Sequence, residues 1–383
     1  MSRPTKHVAA AEAARIALAA IDVPDAHGSF AEAGIAALRE AGLLAAPLAS
    51  DRGGADLCAP ERVDALRHVL TAIGRASLVL GRLYEGHVNA LALVLRYGDA
   101  RAQDRAGREA REGHLFGVWN TEPEPGGLAI DGARLSGAKS YASGAGFVTR
   151  PLVTARQADG RRLMLVVALD GTERADLSAW RAQGMRATAT GTLDFTGLPF
   201  LQDQVVGEPD DYFRQPFFSC GAWRFLAVQC GGIEAVFEAH REHLRRSGRG
   251  DDPHQRARLG QAAAAVETAR LFVARAARHA AAAETDPEGA VAYVNLARGA
   301  VERAGLDAIA LAQRSVGLSG FLEAHPLERR ARDLATYLRQ PAPDYALASA
   351  AGHVLNAAGP LHATWPDATR PDTTWPDATW PER

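Results

Sequence analysis

Trp119-Asn120-Thr121-Glu122-Pro123 and, after a short interval, Gly137-Ala138-Lys139-Ser140-Tyr141-Ala142-Ser143-Gly144 form the stretch on which the fold turns. It lies between two long helical regions. Its hydroxyls, amide and aromatic rings are of the kind that grip a flat, hydrogen-bonding cofactor.

Before this stretch the pattern is helical. Ile35, Leu38 and Leu43 recur near helical period, and Val63, Leu66, Val69, Leu70 and Ile73 mark one apolar face. Asp51-Arg52-Gly53-Gly54 breaks the run as a turn, because glycine accepts positive φ at little cost. From about 116 to 212 the signal changes to short β-branched runs separated by Asp131-Gly132, Asp159-Gly160 and Asp170-Gly171, which are hairpin or turn cues. Pro151 to Arg156, Arg162 to Val167 and Gly191 to Phe195 read as strands, and the middle reads as an antiparallel sheet domain.

Helical period returns from about 216 to 357. Leu259, Ala263, Val266, Ala269 and Val273 trace one stripe, and Val294, Val301 and Ile309 another. The alanine content of 262–283 favours helix and close packing, so this part reads as a helix bundle. The end differs again: Thr364-Trp365-Pro366-Asp367-Ala368-Thr369 reappears as Thr374-Trp375-Pro376-Asp377-Ala378-Thr379, and proline at this density opposes regular structure. The expected organisation is therefore a helical domain over 1–115, a β domain over 116–212, a bundle over 213–357 and a disordered low-complexity tail over 358–383. The fold class is α+β, mainly α.

Composition narrows the function classes. The 43 basic and 45 acidic residues are interspersed, so no basic stripe points to nucleic acid or a membrane surface. The longest aliphatic run, Leu163 to Leu169, is too short to cross a bilayer. Cys58, Cys220 and Cys230 are far apart and odd in number, which argues against a disulfide framework or thiolate metal site. Met1 to Ala20 lacks the continuous apolar core of a signal peptide, so a cytoplasmic location is expected. His240-Arg241-Glu242-His243 has the spacing of a metal pair but no evident third ligand, and a solvated helix face is the favoured reading. No metal is expected.

Local phrases in one order carry a resemblance. They are Leu38 to Leu43 with Gly53-Gly54, Tyr97-Gly98, Thr121-Glu122-Pro123, Gly184-Met185-Arg186-Ala187-Thr188, and Pro326-Leu327-Glu328-Arg329 followed by Arg332-Asp333. With the order helices, β domain, bundle, the chain resembles the acyl-CoA dehydrogenase family of flavoproteins from about residue 8 to 357. The resemblance implies FAD, or alternatively reduced FMN. It places Val118, Trp119, Asn120 and Thr121 along the isoalloxazine ring, Tyr141 where the family has a Trp or Phe against the flavin, and Ser143 beside its reactive nitrogen. Arg246 (or Arg245) with Gln255, and Arg314 with Gly317, resemble the bundle residues that reach the flavin of a neighbouring subunit, which implies a homodimer or homotetramer. Lys139 falls in the family's glycine-lysine hairpin, where a structural or surface role outweighs a nucleophilic one.

The chain departs from the family where the chemistry would be decided. Removing the proton α to a thioester carbonyl needs a carboxylate beside the substrate. The usual position of that glutamate leads to Gln340-Pro341-Ala342, and the alternative position falls near Gly221-Ala222-Trp223, neither with an acid. Asp344 is the substitute base if the loop is reshaped. His87 or Glu85, on a helix that faces the substrate side in this family, would supply acid/base catalysis in an oxygen-using relative. The family's Gly-x-Gly-Ser-Asp extension is reduced to Glu124-Pro125-Gly126-Gly127. Three readings stand: acyl thioester dehydrogenation, flavin-dependent monooxygenation or oxidation, and a non-catalytic relative.

Overall fold

The structure, a computed structural model, describes Ala14, Leu18 and residues 23–171 and 173–365. Helices α1 (Glu32–Glu40), α2 (Val63–Ala76), α3 (Leu78–Tyr97) and α4 (Ala100–Arg111) come first. Side-chain caps decide where two of them start: Ser77 accepts from Leu80 N at 3.3 Å, and Asp99 accepts from Ala102 N at 2.8 Å. Helix α3 is the only described helix long and apolar enough to cross a membrane, but 72% of its most apolar window is buried in the protein, as in a core helix.

Nine strands follow among the described residues: β1 (Phe116–Trp119), β2 (Ala129–Asp131), β3 (Arg134–Ser136), β4 (Ala138–Ala142), β5 (Arg150–Arg156), β6 (Arg162–Val166), β7 (Ala175–Asp176), β8 (Gly191–Asp194) and β9 (Val205–Val206). One sheet has the order β3-β2-β5-β6-β9, with β1 also against β5; the other is β4-β8-β7. Asp131-Gly132 and Asp159-Gly160 close the β2/β3 and β5/β6 hairpins, with Gly132 and Gly160 at φ 58° and 87°. The sheet is mixed rather than purely antiparallel, because β1 runs parallel to β5, Phe116 opposite Arg150. The chain builds β2, β3 and β4 between the two and so returns in the same direction.

The C-terminal part holds α5 (Phe217–Cys220), α6 (Trp223–Arg246), α7 (Pro253–Ala281), α8 (Pro287–Val316), α9 (Pro326–Tyr337), α10 (Pro343–Asn356) and a turn, α11 (Leu361–Thr364). Asp252, Asp286 and His325 cap α7, α8 and α9, each followed by proline at the first helical position, where its missing N–H is no loss. Val294, Val301 and Ile309 are buried as the stripe predicts. On α7 the buried line runs through Gln255, Ala262, Ala269, Val273 and Ala276, whereas Ala263 is exposed. Alanine-rich sequence has too little contrast between faces to fix the rotation of a helix.

Two of the phrases quoted above lock the bundle to the β domain. Met185 N donates to Asp333 Oδ1 at 2.6 Å and Gly184 N to Thr336 Oγ1 at 3.0 Å, while Arg332 bridges Asp25 and Glu328 at 2.6 and 2.7 Å. The tail is ordered further than composition suggests. Trp365 is buried, its Nε1 donating to Gly289 O at 3.0 Å and its ring edge-on to Tyr293. The expected disorder of 366–383 lies outside the described residues.

Helices α2 and α6 approach most closely at two glycines. A Cβ on Gly74 would lie 2.3 Å from Val228 O, and one on Gly231 2.2 Å from Thr71 O. Gly231→Ala is expected to destabilise the protein by about 2 kcal/mol through overpacking. Gly260→Ala, on the exposed side of α7 with nothing within 4 Å, is expected to stabilise it by about 1 kcal/mol. Urea unfolding of the two variants checks the opposite signs.

Candidate active site

Strand β1 divides the site into two faces, since successive residues on a strand point to opposite sides. Trp119 points toward β4, and Val118 faces a cavity on the helical side.

On the β4 side, Trp119 is buried, meets Phe195 edge-on at 6.5 Å, and donates from Nε1 to Ser143 O at 2.9 Å. The indole is therefore a brace for the turn after β4. Next to it lies Lys139, fully buried, whose Nζ donates to Glu122 Oε1 at 2.9 Å, Thr154 Oγ1 at 3.1 Å and Asn120 O at 3.3 Å. Thr154 in turn donates to Asn120 Oδ1, and Arg162 reaches Glu122 Oε2 at 3.2 Å. Burial pulls the Lys139 pKa below that of a free lysine, opposed by its bond to Glu122. The surface half of the expectation for Lys139 is thus corrected, because its charge is neutralised inside the protein.

Strand β4 carries a bulge. Lys139 lies opposite Leu193 and Ala142 opposite Gly191, so β4 has one residue more than β8 between these pairs. The bulge puts Tyr141 at φ 51°, with the residue 68% exposed. Ser143 Oγ accepts from Thr190 Oγ1 at 3.2 Å, so its own proton stays free to be donated. Thr121 is exposed, its carbonyl accepting from Ser140 N at 2.9 Å. Thr121, Tyr141 and Ser143 form an accessible rim over the buried Trp119 and Lys139 and the half-buried Asn120.

The bundle residues singled out in the sequence lie elsewhere, at one end of α6, α7 and α8. Arg246 is exposed and paired with Glu242 at 3.4 Å; Arg314 is also exposed. Gln255 Oε1 and Ser315 Oγ are buried with no hydrogen-bond partner among the described residues, and Arg249 donates to Ser315 O. Gly317 follows at φ 76° and ψ −155°, a conformation reserved for glycine. No hydrogen bond among the described residues links this end to the Tyr141 rim.

On the other face of β1 a cavity of about 940 Å³ opens between α3, α5, α6 and the loop into α10. Val118, Asn89, Phe217, Trp223 and Arg224 line it, as do both segments where sequence comparison looks for an acid: Gly221-Ala222-Trp223 on one wall and Pro341-Ala342 on another. Asp344 is exposed in the first turn of α10 and, unlike its neighbours Ala342 and Tyr345, is not among the lining residues. As the substitute base it is corrected by its position.

His87 and Glu85 are corrected by their bonds. His87 is fully buried; Nδ1 accepts from Phe116 N at 3.0 Å, so Nε2 carries the proton and donates to Leu44 O at 2.7 Å. With both nitrogens used on backbone, it is a clamp holding β1 against α3. Glu85 is buried between Arg82 at 2.6 Å and Asn89 at 2.8 Å, directly behind the lining and not part of it. The solvated-face reading of the 240–243 segment is corrected as well: His240 is fully buried with neither nitrogen hydrogen-bonded, and His243 Nδ1 lies 3.3 Å from His325 Nε2. Sequence reading passed over Arg224 and Asn89. The available signal was a lone arginine opening an apolar helix, and Arg82, Glu85 and Asn89 at helical spacing on one face.

Butyryl-CoA dehydrogenase from Megasphaera elsdenii superimposes on this arrangement with a TM-score of 0.78 over 93% of this chain and 99% of that one at 16% identity. This chain has the acyl-CoA dehydrogenase fold. Residues 225–339 match the family model described as acyl-CoA dehydrogenase, C-terminal domain. The acyl-CoA dehydrogenase fold is shared with KijD3, solved in complex with FMN and a dTDP-linked sugar, at a TM-score of 0.74 and 23% identity over 91% of this chain and 92% of that one. Among curated proteins, dibenzothiophene monooxygenase from Mycolicibacterium goodii is 23% identical over 85% of this chain and 87% of its own length.

Two substitutions test the two sides of β1. Lys139→Met leaves Glu122 and Asn120 without their buried partner, and a loss of about 3 kcal/mol in urea unfolding is expected. His87→Ala strands Phe116 N and Leu44 O, with an expected cost of about 3 kcal/mol at pH 7. Burial lowers the His87 pKa from 6.5 to about 4. The unfolded chain therefore binds the proton first, and the stability His87 contributes is full above the unfolded pKa of about 6.5 and lost as the pH falls toward 4. Unfolding midpoints across this window are expected to fall less steeply in His87→Ala than in the parent.

Proposed function

We propose that this protein is a flavin-dependent oxidoreductase that works as a monooxygenase on a small molecule held in the 940 Å³ cavity. The observation that carries the choice is the cavity wall. Neither segment at which an acyl-CoA dehydrogenase would present its base has a carboxylate, and Asp344 is not part of the lining. The two acids that do line the cavity are engaged: Asp56 accepts from Ser50 N at 2.7 Å and Glu284 pairs with Arg96 at 2.5 Å.

The residues of the rim fit a flavin. Tyr141 offers an open aromatic face, Ser143 a free hydroxyl proton and Thr121 an exposed hydroxyl, all backed by the Trp119 and Lys139 bonds that fix their backbone. A flavin bound in its reduced form supplies the two electrons that oxygen needs. Around it this chain would orient the ring through Thr121, Tyr141 and Ser143, and the apolar cavity beside Val118 would keep water from the substrate. FAD and FMN both suit these groups; the FMN complex of KijD3 supports the second.

The exposed Arg246 and Arg314, with Gly317 on the same end of the bundle, support a second copy completing the site. Arginine would meet a phosphate there through its fork of donors. Free thiols at Cys58, Cys220 and Cys230 support a cytoplasmic location.

Acyl thioester dehydrogenation is the second reading, favoured by the match of residues 225–339. Anaerobic mixing of the flavin-loaded protein with a panel of acyl-CoAs separates the two. No loss of the yellow absorbance at any chain length is expected, and bleaching by one of them would transfer the assignment to dehydrogenation. Under oxygen with reduced flavin, substrate-dependent formation of an oxygenated product is expected. A protein that binds neither FAD nor FMN on titration overturns both readings.

A further inference from the structure

We propose that the cavity takes a planar aromatic acid, and that Arg224 binds its carboxylate. This goes beyond the reading above and rests on it only in treating the cavity as the place of reaction.

Of the three arginines that line the cavity, Arg96 is ion-paired and Arg224 and Arg298 are not, and Arg224 alone has a buried nitrogen without an acceptor among the described residues. Arg96 is matched by Glu284 and covers the Phe217 ring at 3.1 Å. Arg298 has no ion pair among the described residues either, but it donates to Pro341 O at 2.5 Å and has Glu302 nearby, which itself pairs with Arg339 at 3.0 Å. Asp56 is held by a backbone N–H. Arg224 has no ion pair among the described residues: its only hydrogen bond there runs from Nη1 to Asn89 Oδ1 at 3.0 Å, and its Nε is buried without an acceptor.

The network behind it explains why the charge stays uncompensated. Asn89 turns its oxygen to Arg224 because its amide donates to Glu85 Oε1 at 2.8 Å. Glu85 is in turn consumed by Arg82 at 2.6 Å. Two guanidinium groups thus share one carboxylate, and the cation left over is the one on the cavity wall. Asn89 fixes its direction and adds no charge. Leaving a guanidinium in apolar surroundings without a counter-ion is costly, and a ligand carboxylate supplies the missing charge.

The rest of the wall asks for a flat apolar body. Tyr212, Phe217, Phe218, Trp223 and Phe225 surround the space, and Phe213 and Phe218 pack with Tyr212 into one aromatic group, with centroids 5.1 and 5.5 Å from the Tyr212 ring. Rings stack on such surfaces. A volume of about 940 Å³ holds a bicyclic or tricyclic acid with room to spare.

The test uses the full chain without added flavin and two probes of equal shape, 2-naphthoate and its neutral amide 2-naphthamide, followed by calorimetry. The naphthoate is expected to bind about tenfold or more tightly than the amide. Arg224→Gln is expected to remove that preference by weakening naphthoate alone, and Arg224→Lys to restore part of it. A thermal midpoint for each variant shows that it is folded. Equal binding of the two probes, no binding of either, or a preference that survives in folded Arg224→Gln overturns the proposal. Because no flavin is present, naphthoate binding by a protein that fails the flavin titration would keep this inference and remove only the preceding one.

Discussion

The buried Lys139 ammonium is the constraint on which the rest of the site depends. A lysine with no solvent exposure has to be met by opposite charge and acceptors, and Glu122, Thr154 and Asn120 provide them. These residues come from three places: the segment after β1, strand β5, and β4 through Lys139 itself. Satisfying one charge thereby fixes the distance between the two halves of the motif. The Trp119 to Ser143 bond can form only because that distance is set, and with it the rim of Thr121, Tyr141 and Ser143 acquires its shape.

Strand β1 is where this constraint meets the helices. On one face it carries Trp119 toward the rim, and on the other Val118 toward the cavity. His87 holds it in place by accepting from Phe116 N and donating to the Leu44 carbonyl, so a histidine that looks catalytic in one dimension is spent on geometry. The chemistry of the site then follows from which groups face the cavity.

Much of the architecture was legible because it rests on local rules. Asp-Gly pairs mark the two hairpins, since glycine relieves the positive φ those turns require. Branched residues at 294, 301 and 309 mark the buried face of α8, because large side chains distinguish inside from outside. The rotation of α7 was not legible, since alanines look alike on every face. The parallel pairing of β1 with β5 escaped too, as it joins segments separated by three other strands. Thr121, Tyr141 and Ser143 were singled out through their grouping in sequence. Arg224 was not, because its meaning lies in what is missing around it, a carboxylate, and only packing shows that Glu85 is already taken by Arg82.

By itself the sequence determined the succession of helices, sheets and bundle, the grouping of Trp119 to Pro123 with Tyr141 to Gly144, and the lack of an acid at Gly221 to Trp223 and Gln340 to Ala342. Periodicity, turn chemistry and residue identity are properties of a string, and these conclusions require nothing more. Only the tertiary structure decided that Lys139 is internal, that His87 and Glu85 are engaged, that Asp344 is not among the residues lining the cavity, and that both acid-free segments line one cavity. Burial and pairing are set by neighbours distant along the chain, and those neighbours separate a charge that braces the fold from one left free for a ligand.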